Sequence, residues 1–503
     1  MLVRNSLAHL AARVTSLAAG LVTIPLVTMT LGTEALGLAG AYATLQAMVG
    51  LFDLGVPTAA SRELAVLIGR RASPRTQALL VRSLEFLFWA MAAAFCLIGF
   101  VFAGALAESW FNVQVISREV VYTSLLLIIA GVAARFPVAF YSNIFFALGR
   151  HIYPNVVLSI SSVARAVVAI IALVKFDVGL VGFFVIQLLF NAAEAALLVF
   201  GVWWSSKFKF LAPRLQPLRR VARQAGILTV IALTAVALSQ VDKIVLSRIL
   251  TLGDFGVYSA AYTLASGLLA LAYPVGNAIF PELNQSLDRG RSDAAARLVR
   301  LGTEMTILIV VPLGATIAMQ AEPALDILFL VKKFPPELAI ILPLMMLGGI
   351  AQAFVTLPHL FQVAAGRAQT VLWINAAFLL PYILLVVVLT QAWGIWGAAA
   401  AFAAFNIARL LLHWALLLMD KYAGNLWRAV PISVVAINAV CFVLAWTAAM
   451  LPGAKLSKMI LAAVTAAIIT LVVAMCLPAS REKILAKLQT GSAPAARSRK
   501  SRK

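Results

Sequence analysis

ALGRHIYPN at residues 147–155, with GLVGFFVIQLLFN at 179–191 closing the same stretch, is met again as AAGRAQTVL at 364–372, closed by GIWGAAAAFAAFN at 394–406. Gly149-Arg150 to Asn191 is thus echoed by Gly366-Arg367 to Asn406. The offset is 217 residues at Gly149/Gly366 and 215 at Gly179/Gly394, so a two-residue deletion separates the copies. Both copies lie in an apolar frame, which predicts two related helical halves. Symmetry of this kind commonly places a binding site between two lobes that rock against each other.

Composition sets the solvent in which those halves fold. Apolar residues make up 63% of the 503-residue chain and charged residues 12%, against about 45–50% and about 25% in soluble domains. Apolar side chains on every helical face belong to helices solvated by hydrocarbon. The first apolar stretch runs past Gly20 to Met29 without a small-residue cleavage site, and is expected to stay as the first span. Cys96, Cys441 and Cys476 show no metal or redox spacing and read as packing residues. His9, His151, His359 and His413 are scattered and form no ligand cluster in sequence.

Hydropathy places fourteen spans at about 7–29, 38–67, 84–106, 119–147, 155–174, 180–203, 225–247, 257–280, 301–320, 337–363, 370–390, 397–418, 429–450 and 459–477. With the N-terminus inside, most of the 40 Lys and Arg residues fall on inner segments, densest at 205–224 and in the C-terminal tail. The outer segments carry Arg118, Lys175, Arg248, Lys332, Lys333, Lys455 and Lys458. This positive-inside bias predicts a cytoplasmic (inner) membrane protein with both termini cytoplasmic, and accounts for the net charge of +21 without nucleic acid as a partner. The organisation expected is a six-helix lobe at 1–204, a basic cytoplasmic linker at 205–224, a second six-helix lobe at 225–420, two further spans at 421–478 and a basic, disordered tail at 479–503.

A charge near the middle of a span costs about 2.5–3.5 kcal/mol on insertion scales, so such residues line a cavity or pair with one another. The cations are Arg13, Arg135, Arg165, Lys243 and Arg409; the anions to set against them are Asp53, Glu194 and Asp242. Arg135 precedes Pro137, which loosens the helical ladder, and is the leading anion-binding candidate, with Arg13, Arg165 and Arg409 as the other substrate-binding candidates. Arg165 and Glu194 occupy the middles of adjacent antiparallel spans and suit either an internal pair or a site. Arg13 snorkels inward in the competing reading. Asp53, beside Gly55 and Pro57, is the coupling candidate for a proton or sodium ion, against an ion pair with an arginine. Asp242-Lys243 lies towards the outer end of its span, where an interfacial role competes. Arg62, Glu63, Arg82 and Glu85 read as anchors near the inner boundary. No Walker A sequence, hydrolase elbow or long outer loop is present to build an enzyme site, and no cofactor is implied.

IPLVTMTLGTEALGLAGAY at 24–42, FDLGVPTAASREL at 52–64, DKIVLSRILTLGDFGVYSAAY at 242–262 and the IFPEL run at 279–283 resemble the polysaccharide biosynthesis proteins, or lipid-linked oligosaccharide flippases. That superfamily also includes multidrug and toxin extrusion transporters. The resemblance covers most of the first 410 residues and implies an all-α polytopic membrane protein: about fourteen transmembrane helices in two pseudo-symmetric six-helix lobes around a central cavity, plus two C-terminal helices. It also implies translocation of a polyprenyl-pyrophosphate-linked glycan by alternating access during surface polysaccharide biosynthesis. The lipid bilayer and a polysaccharide polymerase are the partners expected. Only Arg13 matches a familiar family position, an arginine in the first span. A cation-coupled multidrug exporter is the alternative, which an acidic or aromatic cavity would favour; a membrane glycan polymerase or ligase comes third.

Overall fold

The computed structural model describes residues 19–52, 56–206, 211–329 and 334–419. In chain order the helices are α1 Ala19–Leu31, α2 Thr33–Phe52, α3 Val56–Gly69, α4 Pro74–Ala105, α5 Arg118–Ala133, α6 Phe136–Ala147, α7 Ile152–Lys175, α8 Gly179–Ser205, α9 Leu215–Ile249, α10 Leu252–Asp288, α11 Ser292–Met319, α12 Ala321–Phe329, α13 Pro336–Ala364 and α14 Ala368–Leu418. Among the described residues, β-type pairing is limited to one bridge between Asn112 and Thr251. Eight of the described helical segments are long and apolar enough to cross a membrane, so the chain is an all-α, multi-pass membrane protein. The second to twelfth predicted spans fall on helices α2 to α14, and the described part of the first falls on α1. Arg13, Asp53, the spans at 429–450 and 459–477 and the tail lie outside the described residues.

The sequence repeat is a repeat of geometry. At the end of α6, Gly149 has φ 72° and its N–H donates to Phe146 O, while Arg150 N–H reaches back to Phe145 O at 2.9 Å. At the end of α13, Gly366 has φ 75°, with matching bonds to Val363 O and from Arg367 N–H to Gln362 O at 2.9 Å. A left-handed residue that closes a helix with this pair of bonds favours glycine, because a Cβ is strained there. The second quoted glycines also turn the chain with positive φ: Gly179 opens α8, and Gly394, with Trp393, breaks α14 into two antiparallel segments.

The halves meet most closely where α2 crosses α10. A Cβ on Gly37 would stand 2.1 Å from Leu252 O, and one on Gly256 would stand 2.4 Å from Thr33 O. Backbone against backbone leaves no side chain to move aside, so glycine is what lets the crossing close. On the same face, the 106–117 connection straps both halves together. Glu34, buried at the start of α2, accepts the N–H groups of Gln114 (2.6 Å), Val115 (3.0 Å) and Ile116 (2.8 Å). Leu252 N–H donates to Asn112 O at 2.9 Å, and Trp110 Nε1 donates to Ser247 Oγ at 3.0 Å.

Two expectations change. Helix α9 begins at Leu215, inside the stretch read as linker; Pro217 sits in its first turn, where a missing N–H costs nothing. Glu85 is not a boundary anchor: it is buried, ion-paired with Arg82, and accepts hydrogen bonds from Tyr141 and from Trp203 Nε1 at 3.3 Å.

Gly37→Ala and Gly256→Ala are each expected to lower the unfolding temperature, by the equivalent of about 1–3 kcal/mol for overpacking. Gly267→Ala in α10, with nothing within 4 Å of its added methyl, is expected to be neutral or stabilising. Equal effects at all three positions would show that the crossing is not tight. Glu34→Ala is expected to cost about 1.5–3 kcal/mol of charge-assisted hydrogen bonding and to speed proteolytic cleavage within 106–117.

Candidate functional site

A cavity of about 600 Å³ opens between the halves, lined by parts of α1, α2, α7, α8, α9 and α10 and by Arg135. Its volume is in the range of sites for small organic ligands. Arg135 enters it because the chain breaks there. Helix α5 ends at Ala133, α6 starts at Phe136, and Pro137 at the second position of α6 has no N–H to continue the ladder. Arg135 therefore stands between two helices rather than on either, and its side chain reaches Glu194 of α8.

Glu194 is 1% exposed in a membrane-spanning helix, a position that an isolated carboxylate cannot hold. Its oxygens lie 3.7 Å from an Arg135 nitrogen and 3.6 Å from an Arg165 nitrogen, and Ser161 Oγ donates to Oε1 at 2.7 Å. Asn191, one turn earlier on α8, completes the arrangement. Its Oδ1 accepts from Arg165 at 2.9 Å and, at 3.5 Å, from Arg135. Its Nδ2 donates to Tyr42 Oη at 2.7 Å and to Gly131 O at 2.9 Å. The guanidinium groups are thus held by a carboxylate and an amide, and both arginines line the cavity together with Glu194. A guanidinium keeps five donors in a fixed fork, so spare donors remain after these bonds.

Across the cavity, Lys243 Nζ lies 3.0 Å from the Asp242 carboxylate and 3.4 Å from the Tyr262 ring centroid, and Tyr258 Oη donates to Asp242 at 2.7 Å. Both charged residues are buried, and Lys243 lines the cavity. Three cations face two carboxylates around the space, leaving one positive charge in excess.

Arg135, Arg165, Glu194 and Lys243 come together as cavity-lining residues, with Asp242 behind Lys243. Arg409 does not join them: it lies on α14, its guanidinium carbon 5.3 Å from the Phe405 ring centroid. The physical reason is in the repeat, whose offset of 215 puts Arg409 at the second-half counterpart of Glu194. The search for charges passed over the neutral polar residues that organise the site, namely Tyr42, Gln187, Asn191 and Gln240. Asn191 had a signal, since the quoted repeat ends on it. Among the described residues no group of three or more His, Cys, Asp or Glu is placed to hold a metal ion.

Asn191 and Asn406 are repeat partners and both are buried, but Asn406 donates only to Phe402 O within its own helix. Asn191→Leu is expected to destabilise the protein by about 1–3 kcal/mol more than Asn406→Leu, because it removes one hydrogen bond each from Arg165, Tyr42 and Gly131 O. Thermal unfolding of the two purified variants measures the difference; equal losses would mean that Asn191 holds nothing together.

The sequence profile of the family described as "Polysaccharide biosynthesis protein" matches residues 2–287, more than half of the chain. No curated protein sequence is a significant match. Among solved structures, the lipid II flippase MurJ in an inward closed conformation is similar with a TM-score of 0.73 and 14% identity, over 94% of this chain and 99% of that one. A multidrug resistance MATE family transporter of the MOP superfamily in an inward-facing conformation has a TM-score of 0.66 at 13% identity, covering 80% of this chain and 93% of its own. An outward-facing MATE family transporter has a TM-score of 0.59 at 14% identity, covering 82% and 93%. At these identities the structures share the fold, and the profile match carries the assignment: the chain belongs to the polysaccharide biosynthesis protein family.

Proposed function

We propose that the protein is a flippase that carries a polyprenyl-pyrophosphate-linked oligosaccharide across the cytoplasmic membrane by alternating access. The observation that carries this reading is the Arg135–Arg165 pair, which is braced by Glu194 and Asn191 and lines a cavity of about 600 Å³. A pyrophosphate offers several oxygens, and arginine binds such oxygens through paired, charge-assisted hydrogen bonds. Polar residues on α2, α8 and α9, among them Gln46, Gln187 and Gln240, suit sugar hydroxyls, while the polyprenyl chain stays in lipid. Membership of the polysaccharide biosynthesis family supports a glycan cargo. The solved neighbour described as a lipid II flippase supports a lipid-linked one.

In the proposed cycle the head group enters from the cytoplasmic side. The crossing of α2 and α10 and the 106–117 strap then lie at the outer face, closed in this state, and must part for release. The termini are cytoplasmic, Asp53 couples transport to a proton or sodium ion, and a polysaccharide polymerase receives the product. The excess of positive charge disfavours a cation-exporting cavity.

Deleting the gene and measuring polyprenyl-linked glycans by mass spectrometry tests the reading. Accumulation of a defined repeat unit is expected, relieved by the wild-type protein. Arg135→Ala at equal abundance is expected to lower relief about ten- to a hundredfold, matching about 1.5–3 kcal/mol of lost charge-assisted bonding. An unchanged lipid-linked pool, with lost drug resistance, would replace this reading with the multidrug exporter.

A further inference from the structure

The internal repeat builds a second polar centre, and its charge is inverted. The offset that pairs Asn191 with Asn406 pairs Glu194 with Arg409, and the offset of 217 sets Gln352 and Tyr382 where the first half has Arg135 and Arg165. The first half surrounds an acid with two arginines; the second has one arginine and no acid among these counterparts. None of the ion pairs among the described residues includes Arg409.

Other buried polar groups on α13 and α14 are also without hydrogen-bond partners. Arg409 Nε is buried with no hydrogen bond. His413, one turn along α14, is 0% exposed, and neither of its ring nitrogens has a hydrogen-bond partner. Its ring centroid lies 6.2 Å from that of His359 on α13, so two histidines scattered in sequence meet in the fold. Gln362, about a turn beyond His359, is 3% exposed with both amide atoms unpartnered. Buried polar groups in native proteins are otherwise nearly always satisfied, and a cation partly withdrawn from water is stabilised by a counter-charge. This centre holds donors without partners: the guanidinium Nε–H, an N–H of the His413 ring and the Gln362 amide nitrogen. A metal cation is repelled by Arg409, and water alone leaves its charge unbalanced.

We infer that Arg409, His413, His359 and Gln362 form a second anion site, separate from the central cavity, that takes a phosphate group. None of the four lines that cavity, so the site does not depend on the head-group reading. The phosphate comes either from a membrane phospholipid or from solution.

The full chain in nanodiscs of zwitterionic lipid tests this, with inorganic phosphate as the probe at constant ionic strength set by a bulky sulfonate. The unfolding temperature is expected to rise saturably with phosphate, as for any ligand that binds the native state. The rise is expected to survive in a variant combining Arg135→Gln, Arg165→Gln and Glu194→Gln, which neutralises the central cluster without leaving a lone charge. Added to that variant, Arg409→Met is expected to abolish the rise and, without phosphate, to melt no lower than its parent, because it removes a part-buried cation with no ion-pair partner among the described residues. His413→Leu is expected to weaken apparent phosphate binding about five- to tenfold, the loss of one or two hydrogen bonds. In discs containing anionic phospholipid, a raised starting temperature with no further effect of phosphate identifies a lipid head group as the occupant; a continued rise identifies a soluble anion. A rise that persists when Arg409→Met is added to the centrally neutralised variant, or one absent from that variant itself, overturns the proposal.

Discussion

Glu194 imposes the constraint around which the first half is organised. A carboxylate in hydrocarbon must be met by positive charge and hydrogen-bond donors at once. Arg135, Arg165 and Ser161 provide these from three different places in the chain, a helix break and two positions on α7. Meeting that demand fixes how α5, α6, α7 and α8 stand around the cavity. Two arginines for one acid then leave positive charge facing the space. The same ionic contacts that make the fold tolerable make the cavity attractive to anions, so structure and proposed chemistry share one set of residues.

Against this background the internal symmetry is architectural rather than chemical. Gly149 and Gly366 close their helices with the same pair of backbone bonds, and Gly179 and Gly394 turn the chain in the same left-handed way. These positions answer to backbone geometry, which both halves share. The side chains have diverged. Asn191 bridges four groups from other elements, whereas Asn406 bonds within its own helix. Glu194 gives way to Arg409. A duplicated scaffold carrying opposite charges at equivalent points has two chemically distinct interiors.

The closed face depends on contacts of another kind. Glu34 gathers three successive N–H groups of the 106–117 connection, and glycines on α2 and α10 let two backbones touch. Side chains of both halves pack beside these contacts, Leu36 and Leu38 with Leu252 and Phe255 in one buried cluster. A further contact joins the halves through the start of α9, where Arg214 N–H donates to Ser83 Oγ at 2.9 Å.

Hydropathy and the Gly-Arg repeat were sufficient by themselves to determine a helical membrane protein with an internal duplication, because hydrocarbon solvation and left-handed helix ends are local demands that each residue meets in place. The costly charges at Arg135, Arg165, Glu194 and Lys243 were legible for the same reason: their expense follows from their position along a span. What they pair with was decided only in three dimensions. Neutral Asn191 as the hub, Glu85 in a buried knot, Arg409 apart from the other arginines and His359 beside His413 all depend on how helices distant in sequence face one another. A pattern of residues along a helix prices a charge; the rotation and packing of neighbouring helices choose its partner.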